Sequence, residues 1–164
     1  MSMYRIAILT ASDKGAAGLR EDRSGPVIVA ALASVGEIVA TAIVSDDRAA
    51  LAEQLRQWAD NSGVDLILTT GGTGLSPRDI TPEATLDVAD RLVPGIPEAM
   101  RAFSLTLTNR AMLSRAVAVT RGRTLIINLP GSPRAVSECL EVIVPVLPHA
   151  LGILTAREDE CARP

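Results

Sequence analysis

Cysteine, histidine and aromatic residues are scarce in this chain of 164 residues, and their scarcity excludes several kinds of protein. Neither Cys139 nor Cys161 belongs to a paired Cys or Cys-His pattern, so the sequence contains no disulfide framework and no zinc motif. His149 is the only histidine, and a lone histidine is most often structural or exposed. Aromatic residues make up 2% of the chain, so the core must consist of Ala, Val, Ile and Leu, and we expect Trp58 to belong to it.

Positive charge is also limited. The net charge is −3 and the isoelectric point is about 5.2, which argues against general binding of nucleic acid or of anionic membranes. Lys14 is the only lysine among 16 Lys and Arg residues, which is typical of a coding bias toward arginine and lowers the weight of each individual arginine. The sequence shows no secretory signal pattern, and no uninterrupted apolar run approaches transmembrane length. We therefore expect a soluble cytoplasmic protein.

Composition and periodicity predict an α/β fold. Hydrophobic residues make up 48% of the chain, and its length suits a single domain over residues 1–164 that folds without a metal or a disulfide. We expect a three-layer sandwich, in which a mostly parallel sheet with one antiparallel hairpin carries helices on both faces. The predicted strands cover residues 4–10, 38–44, 64–70, 116–120 and 124–129, the last two forming the hairpin.

Helices are predicted where apolar residues recur every three to four positions between capping residues, prolines and glycines. Ser132, followed by Pro133, is the candidate N-cap of the last helix, and Cys139 is expected on the core side of that helix. The predicted helices cover residues 24–35, the segment after Asp47 through Ala59, and residues 82–91, 97–107 and 133–156, with breaks at Pro145 and Pro148 and a frayed tail over 157–164.

The segment TTGGTGLSPRDITPEAT, residues 69–85, is the most informative part of the chain. Gly71, Gly72 and Gly74 follow a predicted buried strand, and glycines allow backbone N–H groups to converge on an anion. Thr81, followed by a proline, then has the form of a helix N-cap. The same glycines also suit a plain tight turn, and their spacing matches neither standard phosphate-loop motif. The glycines alone therefore leave both interpretations open.

Acidic residues follow two of the predicted strands. Arg78 and Asp79 lie inside the glycine-rich segment, where they suit either a surface ion pair or a phosphate clamp beside a metal-binding or catalytic carboxylate. Asp46 and Asp47 end the second strand and precede a helix. From this spacing alone, capping of the helix is favoured over catalysis for the latter pair.

Three motifs taken together resemble the molybdenum cofactor biosynthesis domain family. They are residues 69–85, the segment LSRAVAV at 113–119 and the segment IINLPGSPRAVSECL at 126–140. The resemblance extends from ILTASDKG (8–15) to LPHALGIL (147–154), and it is closest to the molybdopterin adenylyltransferase members, which transfer AMP from ATP to the terminal phosphate of molybdopterin and release pyrophosphate. It implies a three-layer α/β fold, small-molecule substrates, a homotrimer and transient contact with a molybdenum-insertion protein.

The resemblance also implies roles for individual residues. Asp46 and Asp79 match the essential aspartates of the family, and would position Mg²⁺ or the attacking phosphate. The family has a V-P-D-E-like context where this chain has V-S-D-D, so Asp47 remains the alternative to Asp46. The implied substrate contacts are Ser12, Asp13, Gly71, Gly72, Thr73, Gly74, Arg78, Gly131 and Ser132, with Lys14 as a further cation. Candidates for the pterin side are Glu98, Ser104 and Ser114.

A second function remains open within the same family. Some members bind or carry molybdopterin without catalysing adenylyl transfer. Such members tend to depart from the patterns R-D-x-T-P-E-A-T and V-x-D, and this chain keeps both. The patterns favour the enzyme over the carrier.

Overall fold

Six strands form one mixed sheet in the computed structural model, which describes residues 3–156. The strands are β1 (Tyr4–Ala11), β2 (Gly36–Val44), β3 (Leu66–Thr70), β4 (Arg91–Leu92), β5 (Ala118–Arg121) and β6 (Thr124–Leu129). Their spatial order is β2-β1-β3-β6-β5-β4. Strands β2, β1, β3 and β6 are parallel, whereas β5 is antiparallel to β6 and to β4. The predicted parallel sheet and its antiparallel hairpin are confirmed.

The helices connect these strands and cover the sheet. They are α1 (Asp13–Ala16), α2 (Ser24–Ala31), α3 (Arg48–Asn61), α4 (Thr81–Leu86), α5 (Gly95–Leu105), α6 (Pro133–Ile143) and α7 (Leu147–Leu154), with 3₁₀ turns over Asn109–Leu113 and Val144–Val146. Helix α1 and the first 3₁₀ turn lie in segments for which the sequence predicted no helix. Because β1 has β2 on one side and β3 on the other, the connections diverge at the carboxyl ends of β1 and β3, where α/β proteins hold ligands.

Two apolar clusters lie on opposite faces of the sheet, because successive side chains of a strand point to opposite faces. Ile6 and Ile8 of β1 belong to one cluster, which α2, α5, α6 and α7 cover. Ala7 and Leu9 belong to the other, which α3 and α4 cover. The three-layer arrangement predicted from the sequence is thus confirmed, and the predicted core positions of Trp58 in α3 and Cys139 in α6 are confirmed as well.

The helix predicted over residues 24–35 is shorter than expected. It ends at Ala31, and Gly36, which directly follows the predicted range and has the form of a helix stop, is instead the first residue of β2. A Cβ atom at Gly36 would collide with the carbonyl oxygen of Tyr4 on the neighbouring strand. The glycine is therefore required by the close approach of two strands, and this requirement cannot be distinguished in the sequence from a helix stop.

The helix predicted over residues 82–91 also differs from the structure. Helix α4 ends at Leu86, and Arg91 and Leu92 pair with β5 to extend the sheet. Ile80 holds the N-cap position predicted for Thr81, so Thr81 is the first residue of the helix. Its hydroxyl is buried and makes no hydrogen bond within residues 3–156.

The predicted interruption of the last helix is confirmed at Pro145, which lies in the 3₁₀ turn between α6 and α7, whereas Pro148 lies in the first turn of α7. The segment Pro133–Leu154, although interrupted by charged residues, is long and apolar enough to span a membrane by length and composition alone. The fold uses this run as core, since Val136, Leu140 and Ile143 pack against the sheet. The predicted frayed tail and Cys161 lie outside the described residues.

Candidate active site

A cavity of about 740 Å³ opens at the carboxyl ends of the parallel strands. It lies where β1 and β3 end, between the loops that lead to α1, α2, α4 and α6. Seven of the residues proposed from the sequence line it: Ser12, Asp46, Gly71, Gly72, Asp79, Gly131 and Ser132. Residues from four separate segments of the chain therefore meet at one site, as expected when the ends of parallel strands share one edge of a sheet.

The glycine-rich loop after β3 has a backbone that only glycine adopts readily. Gly71 and Gly72 have φ angles of +91° and +69°. A Cβ atom at Gly71 would press on the carbonyl oxygen of Ala11, and one at Gly72 would collide with the hydroxyl oxygen of Thr81. These two glycines allow the loop to cross the ends of β1 and α4 and to form the floor of the cavity.

Asp79 is held by its own loop and not by its neighbour Arg78. The backbone N–H of Ser76 donates to Oδ2 of Asp79 at 3.0 Å, and the N–H of Asp79 donates to the carbonyl of Ser76 at 2.8 Å. These two hydrogen bonds close a turn that brings the carboxylate of Asp79 to the cavity. The ion pair between Arg78 and Asp79 that the sequence allowed is absent from the described residues, because Arg78 pairs with Asp13.

Asp46 and Asp47 have different environments. Oδ1 of Asp47 accepts a hydrogen bond from the N–H of Ala50 at 2.8 Å and caps α3, which confirms the predicted capping role for this residue. The carboxylate of Asp46 lines the cavity, and its Oδ2 accepts from the N–H of Asp13 at 3.0 Å. Burial raises the pKa of Asp46 above its usual range, and the nearby charges of Asp13 and Asp79 act in the same direction.

Asp13 and Arg78 were expected to contact substrate, but neither lines the cavity. The guanidinium of Arg78 donates from Nε and Nη2 to the two carboxylate oxygens of Asp13, each at 2.9 Å. These bonds, together with a bond from the hydroxyl of Ser45, hold the pKa of Asp13 well below its usual range. The only lysine, Lys14, is exposed and also lies outside the cavity lining.

A second cavity, of about 260 Å³, lies beyond the glycine-rich loop, between α5, α6 and the 3₁₀ turn that follows α5. Thr73 and Gly74 line it and not the first cavity, although all four loop positions 71–74 were expected to contact one substrate. Ser104 and Ser114, the pterin-side candidates, line it as well, whereas Glu98 does not. The loop therefore separates two spaces, with its first half facing one and its second half facing the other.

Several residues that the sequence did not single out contribute to the site. Arg20 and Arg23 line the larger cavity and supply cations there, whereas the sequence predicts Lys14 and Arg78 for that role. Asp22 accepts from the hydroxyl of Thr10 at 2.9 Å and from the first backbone N–H groups of α2. A capping signal in the segment D-R-S-G-P could have identified this last residue.

The start of α6 also faces the larger cavity. Gly131, Ser132 and Pro133 line it, and the hydroxyl of Ser132 accepts from the N–H of Ala135, which confirms the predicted N-cap. The amino end of a helix carries partial positive charge, so this edge of the cavity favours an anion. The hydroxyl of Ser24, at the start of α2, donates to the carbonyl of Gly131 at 2.8 Å and ties the two helix starts together.

The carboxylates suit one particular kind of metal binding. Within residues 3–156 no group of three or more His, Cys, Asp and Glu side chains forms a metal-binding cluster. Mg²⁺ is commonly held by only one or two carboxylates together with substrate phosphates. Asp46 and Asp79, which line one cavity and interact electrostatically, match that donor set.

Comparison with known proteins places this chain in a family. A family model described as "Probable molybdopterin binding domain" matches residues 7–149. A molybdopterin adenylyltransferase of Helicobacter pylori is 40% identical over 160 residues, covering 94% of this chain and 89% of that protein. The molybdopterin biosynthesis enzyme MoaB from Thermus thermophilus, known from a crystal structure, is 53% identical in sequence to this chain. The two structures align with a TM-score of 0.89 over 94% of this chain and 98% of that one.

A longer relative shares the same region. Gephyrin of Dictyostelium discoideum is 40% identical over 163 residues, which is 93% of this chain but 23% of that protein. The similarity therefore covers a small part of gephyrin and nearly the whole length of the bacterial enzymes. With a family model that matches most of its residues, and relatives of 40% identity and more over nearly its whole length, the chain belongs to the molybdopterin-binding family of molybdenum cofactor biosynthesis proteins.

Proposed function

We propose that this chain is a molybdopterin adenylyltransferase that transfers AMP from ATP to the terminal phosphate of molybdopterin and releases pyrophosphate. The observation that carries the proposal is the meeting of Asp46, Asp79 and the glycine-rich loop in one cavity with the amino end of α6. Adenylyl transfer depends on positioning and on charge neutralisation, and these groups supply both. The similarity to adenylyltransferases of 40% identity supports the same activity.

In the proposed reaction, an oxygen of the molybdopterin phosphate attacks the α-phosphorus of ATP. The bond from this phosphorus to the oxygen that bridges to the β-phosphate breaks, and pyrophosphate leaves with the electron pair. The nucleophile is already an anion, so no general base is required. Mg²⁺, held by Asp46 and Asp79, would supply charge neutralisation to the phosphates. Arg20 and Arg23 face the same cavity and offset further negative charge.

The two cavities suit the two substrates. We assign the nucleotide to the larger cavity, with Ser12, Gly71, Gly72, Gly131 and Ser132 around its phosphates. We assign the pterin to the smaller cavity, which Ser104, Ser114, Thr73 and Gly74 line. The glycine-rich loop between the cavities then lies where the phosphate of molybdopterin must meet the α-phosphate of ATP.

The test is an assay of ATP-dependent formation of adenylylated molybdopterin by the purified chain with Mg²⁺. We expect the wild type to form the product with pyrophosphate in equal amount, and Asp46→Asn and Asp79→Asn to abolish turnover while molybdopterin binding stays nearly unchanged. Absence of product from folded wild-type protein would contradict the proposal. Tight molybdopterin binding without ATP binding would instead identify a carrier.

We further propose that the chain acts in the cytoplasm as a homotrimer of single-domain subunits and contacts a molybdenum-insertion protein transiently. Exposed apolar side chains near the smaller cavity support an association surface; they include Leu105, Leu107, Met112 and Leu113. Sedimentation equilibrium of the purified chain tests the trimer. A monomer across the concentration range of the activity assay would exclude it.

A further inference from the structure

Asp13 occupies the centre of a hydrogen-bond network that links the two loops bearing the proposed catalytic carboxylates. Its Oδ1 accepts from Nη2 of Arg78, from the hydroxyl of Ser45 at 2.7 Å and from the N–H of Asp46 at 3.0 Å. Its Oδ2 accepts from Nε of Arg78. One carboxylate therefore fixes both the end of β2 and the loop before α4.

The contact between Asp13 and Asp46 is reciprocal. The N–H of Asp13 donates to Oδ2 of Asp46 at 3.0 Å, while the N–H of Asp46 donates to Oδ1 of Asp13. The other oxygen of Asp46 lies toward the glycine-rich loop, 3.3 Å from the position that a Cβ atom of Gly72 would occupy. The reciprocal bonds thus set which oxygen of Asp46 faces the loop.

Arg78 connects the reciprocally bonded residues Asp13 and Asp46 to Asp79, its neighbour in the chain. The planar fork of a guanidinium fixes distance and angle at once when both of its bonds reach one carboxylate. The side chains of Arg78 and Asp13 are 63% and 41% exposed, so their ion pair adds little to stability. Neither residue lines the larger cavity. The pair is therefore placed to orient other groups.

We propose that Arg78 and Asp13 are positioning residues that hold Asp46 and Asp79 in one fixed geometry and do not contact the nucleotide. This inference depends on the proposed function, because it assigns the pair to the adenylyl-transfer site. A lysine at position 78 would keep the positive charge but lose the pair of hydrogen bonds to Asp13. Arg78→Lys should therefore retain only part of the turnover that Arg78→Met loses.

Steady-state kinetics of Arg78→Met, Arg78→Lys, Asp13→Asn and the double variant Arg78→Met/Asp13→Asn test the proposal. We expect Arg78→Met and Asp13→Asn each to lower kcat about 10- to 100-fold, because small displacements of reacting groups are costly. The KM for ATP should change by about twofold or less. The double variant should be no slower than the slower single variant, since both changes break one network.

Arg121→Met provides the matched control. Arg121 donates two hydrogen bonds to the carboxylate of Asp60, at 2.9 and 2.6 Å, as Arg78 does to Asp13. Arg121 pairs with Thr124, the first residue of β6, so it lies at the end of the parallel strands opposite the cavity. We expect its kcat to equal that of the wild type. A raised KM for ATP with unchanged kcat in Arg78→Met would show that Arg78 binds phosphate directly and would overturn the proposal. Multiplicative losses in the double variant would also overturn it.

Amide hydrogen exchange measured by NMR tests the network without turnover. In Arg78→Met we expect the N–H groups of Asp13 and Asp46 to exchange about tenfold faster or more than in the wild type, because their local opening becomes easier. In Arg121→Met they should exchange as in the wild type. Unchanged exchange in Arg78→Met refutes the network even if the enzyme is active, whereas an inactive wild type with accelerated exchange in the variant refutes only the proposed function.

Discussion

Arg115 donates a hydrogen bond from Nη2 to the backbone carbonyl of Asp79 at 2.6 Å. From Nε it also donates to the carbonyl of Gly74 at 2.8 Å, and it forms an ion pair with Glu83 in the first turn of α4. Its own N–H donates to the carbonyl of Thr73 at 2.9 Å. Arg115 therefore holds together the segment that runs from the glycine-rich loop to α4, although it lies more than thirty positions later in the chain.

Replacement of Arg115 by lysine is expected to lower both stability and turnover. A lysine ammonium cannot reach two carbonyls and the carboxylate of Glu83 together, so half-buried acceptors lose their donors. We expect the free energy of unfolding to fall by about 1–3 kcal/mol. Urea denaturation at constant m-value measures this loss, and the adenylylation assay measures the accompanying fall in kcat.

Arg123→Lys is the control for this change. Arg123 is more exposed and makes one longer contact with Asp65, at 3.5 Å, so its replacement should leave stability within about 0.5 kcal/mol of the wild type. If Arg115→Lys were as stable and as active as Arg123→Lys, the closing role of Arg115 would be wrong.

The sequence predicted the local parts of the site and missed the contacts between distant segments. The glycine-rich loop was predictable because a left-handed backbone needs glycine at the position itself, as at Gly71 and Gly72. The partner of Arg78 was not, because Asp13 lies 65 positions earlier and no periodic pattern connects the two. The contacts of Arg115 are not predictable for the same reason, although its segment LSRAVAV is one of the three motifs that carry the family resemblance.

The sequence alone does not decide which of two adjacent residues, Asp46 or Asp47, is the second catalytic carboxylate. Asp46 and Asp47 both follow β2 and precede α3, so the sequence allowed either residue to cap the helix. The direction of each side chain depends on the backbone at the strand end, where Asp47 is extended, with φ −117° and ψ 121°. The structure assigns the cap to Asp47, and the catalytic role of Asp46 stays a prediction.

Separate variants of these two aspartates should give opposite results. Asp47→Ala removes the cap of α3, so we expect the free energy of unfolding to fall by about 1 kcal/mol while kcat changes little. Asp46→Asn should abolish turnover and keep the helix cap. Thermal denaturation and the adenylylation assay, run on both variants, measure the two effects. Loss of turnover in Asp47→Ala with activity retained in Asp46→Asn would reverse the assignment.

The pH dependence of stability should differ between Asp46→Asn and the wild type. Burial raises the pKa of Asp46, so the folded protein holds this proton more tightly than the unfolded chain does. Stability is then lost as pH rises through the unfolded and then the folded pKa. At neutral pH we expect Asp46→Asn to be more stable than the wild type, and the gain should vanish when the pH falls below the usual aspartate range.

Asp13→Asn should change the stability at neutral pH in the opposite direction to Asp46→Asn. Arg78 holds the pKa of Asp13 below its usual range, so the stability that this carboxylate contributes is present above that range and is lost only as pH falls toward the lowered pKa. Asp13→Asn should therefore be slightly less stable than the wild type at neutral pH, because the exposure of the ion pair to solvent keeps its contribution small. Urea denaturation across a pH series compares the variants, and a destabilised Asp46→Asn at neutral pH would contradict the burial argument.

Gly72→Ala should damage the site beyond the cost of its backbone conformation. Gly72 and Gly63 have similar φ angles, +69° and +61°, so an alanine at either position bears the same left-handed strain, about 1–2 kcal/mol. A Cβ atom at Gly63 meets nothing within 4 Å, whereas one at Gly72 strikes the hydroxyl oxygen of Thr81 and lies 3.3 Å from Oδ1 of Asp46.

The difference between Gly72→Ala and Gly63→Ala therefore isolates the collision from the strain. We expect Gly63→Ala to lose stability and keep its kcat. We expect Gly72→Ala to lose more stability together with about 10- to 100-fold in kcat, because the added methyl group displaces Asp46, which lines the cavity of the proposed site. Urea denaturation and the adenylylation assay measure both quantities. Equal kcat in the two variants would mean that the loop tolerates a methyl group beside Asp46, and that the glycine at position 72 serves the backbone alone.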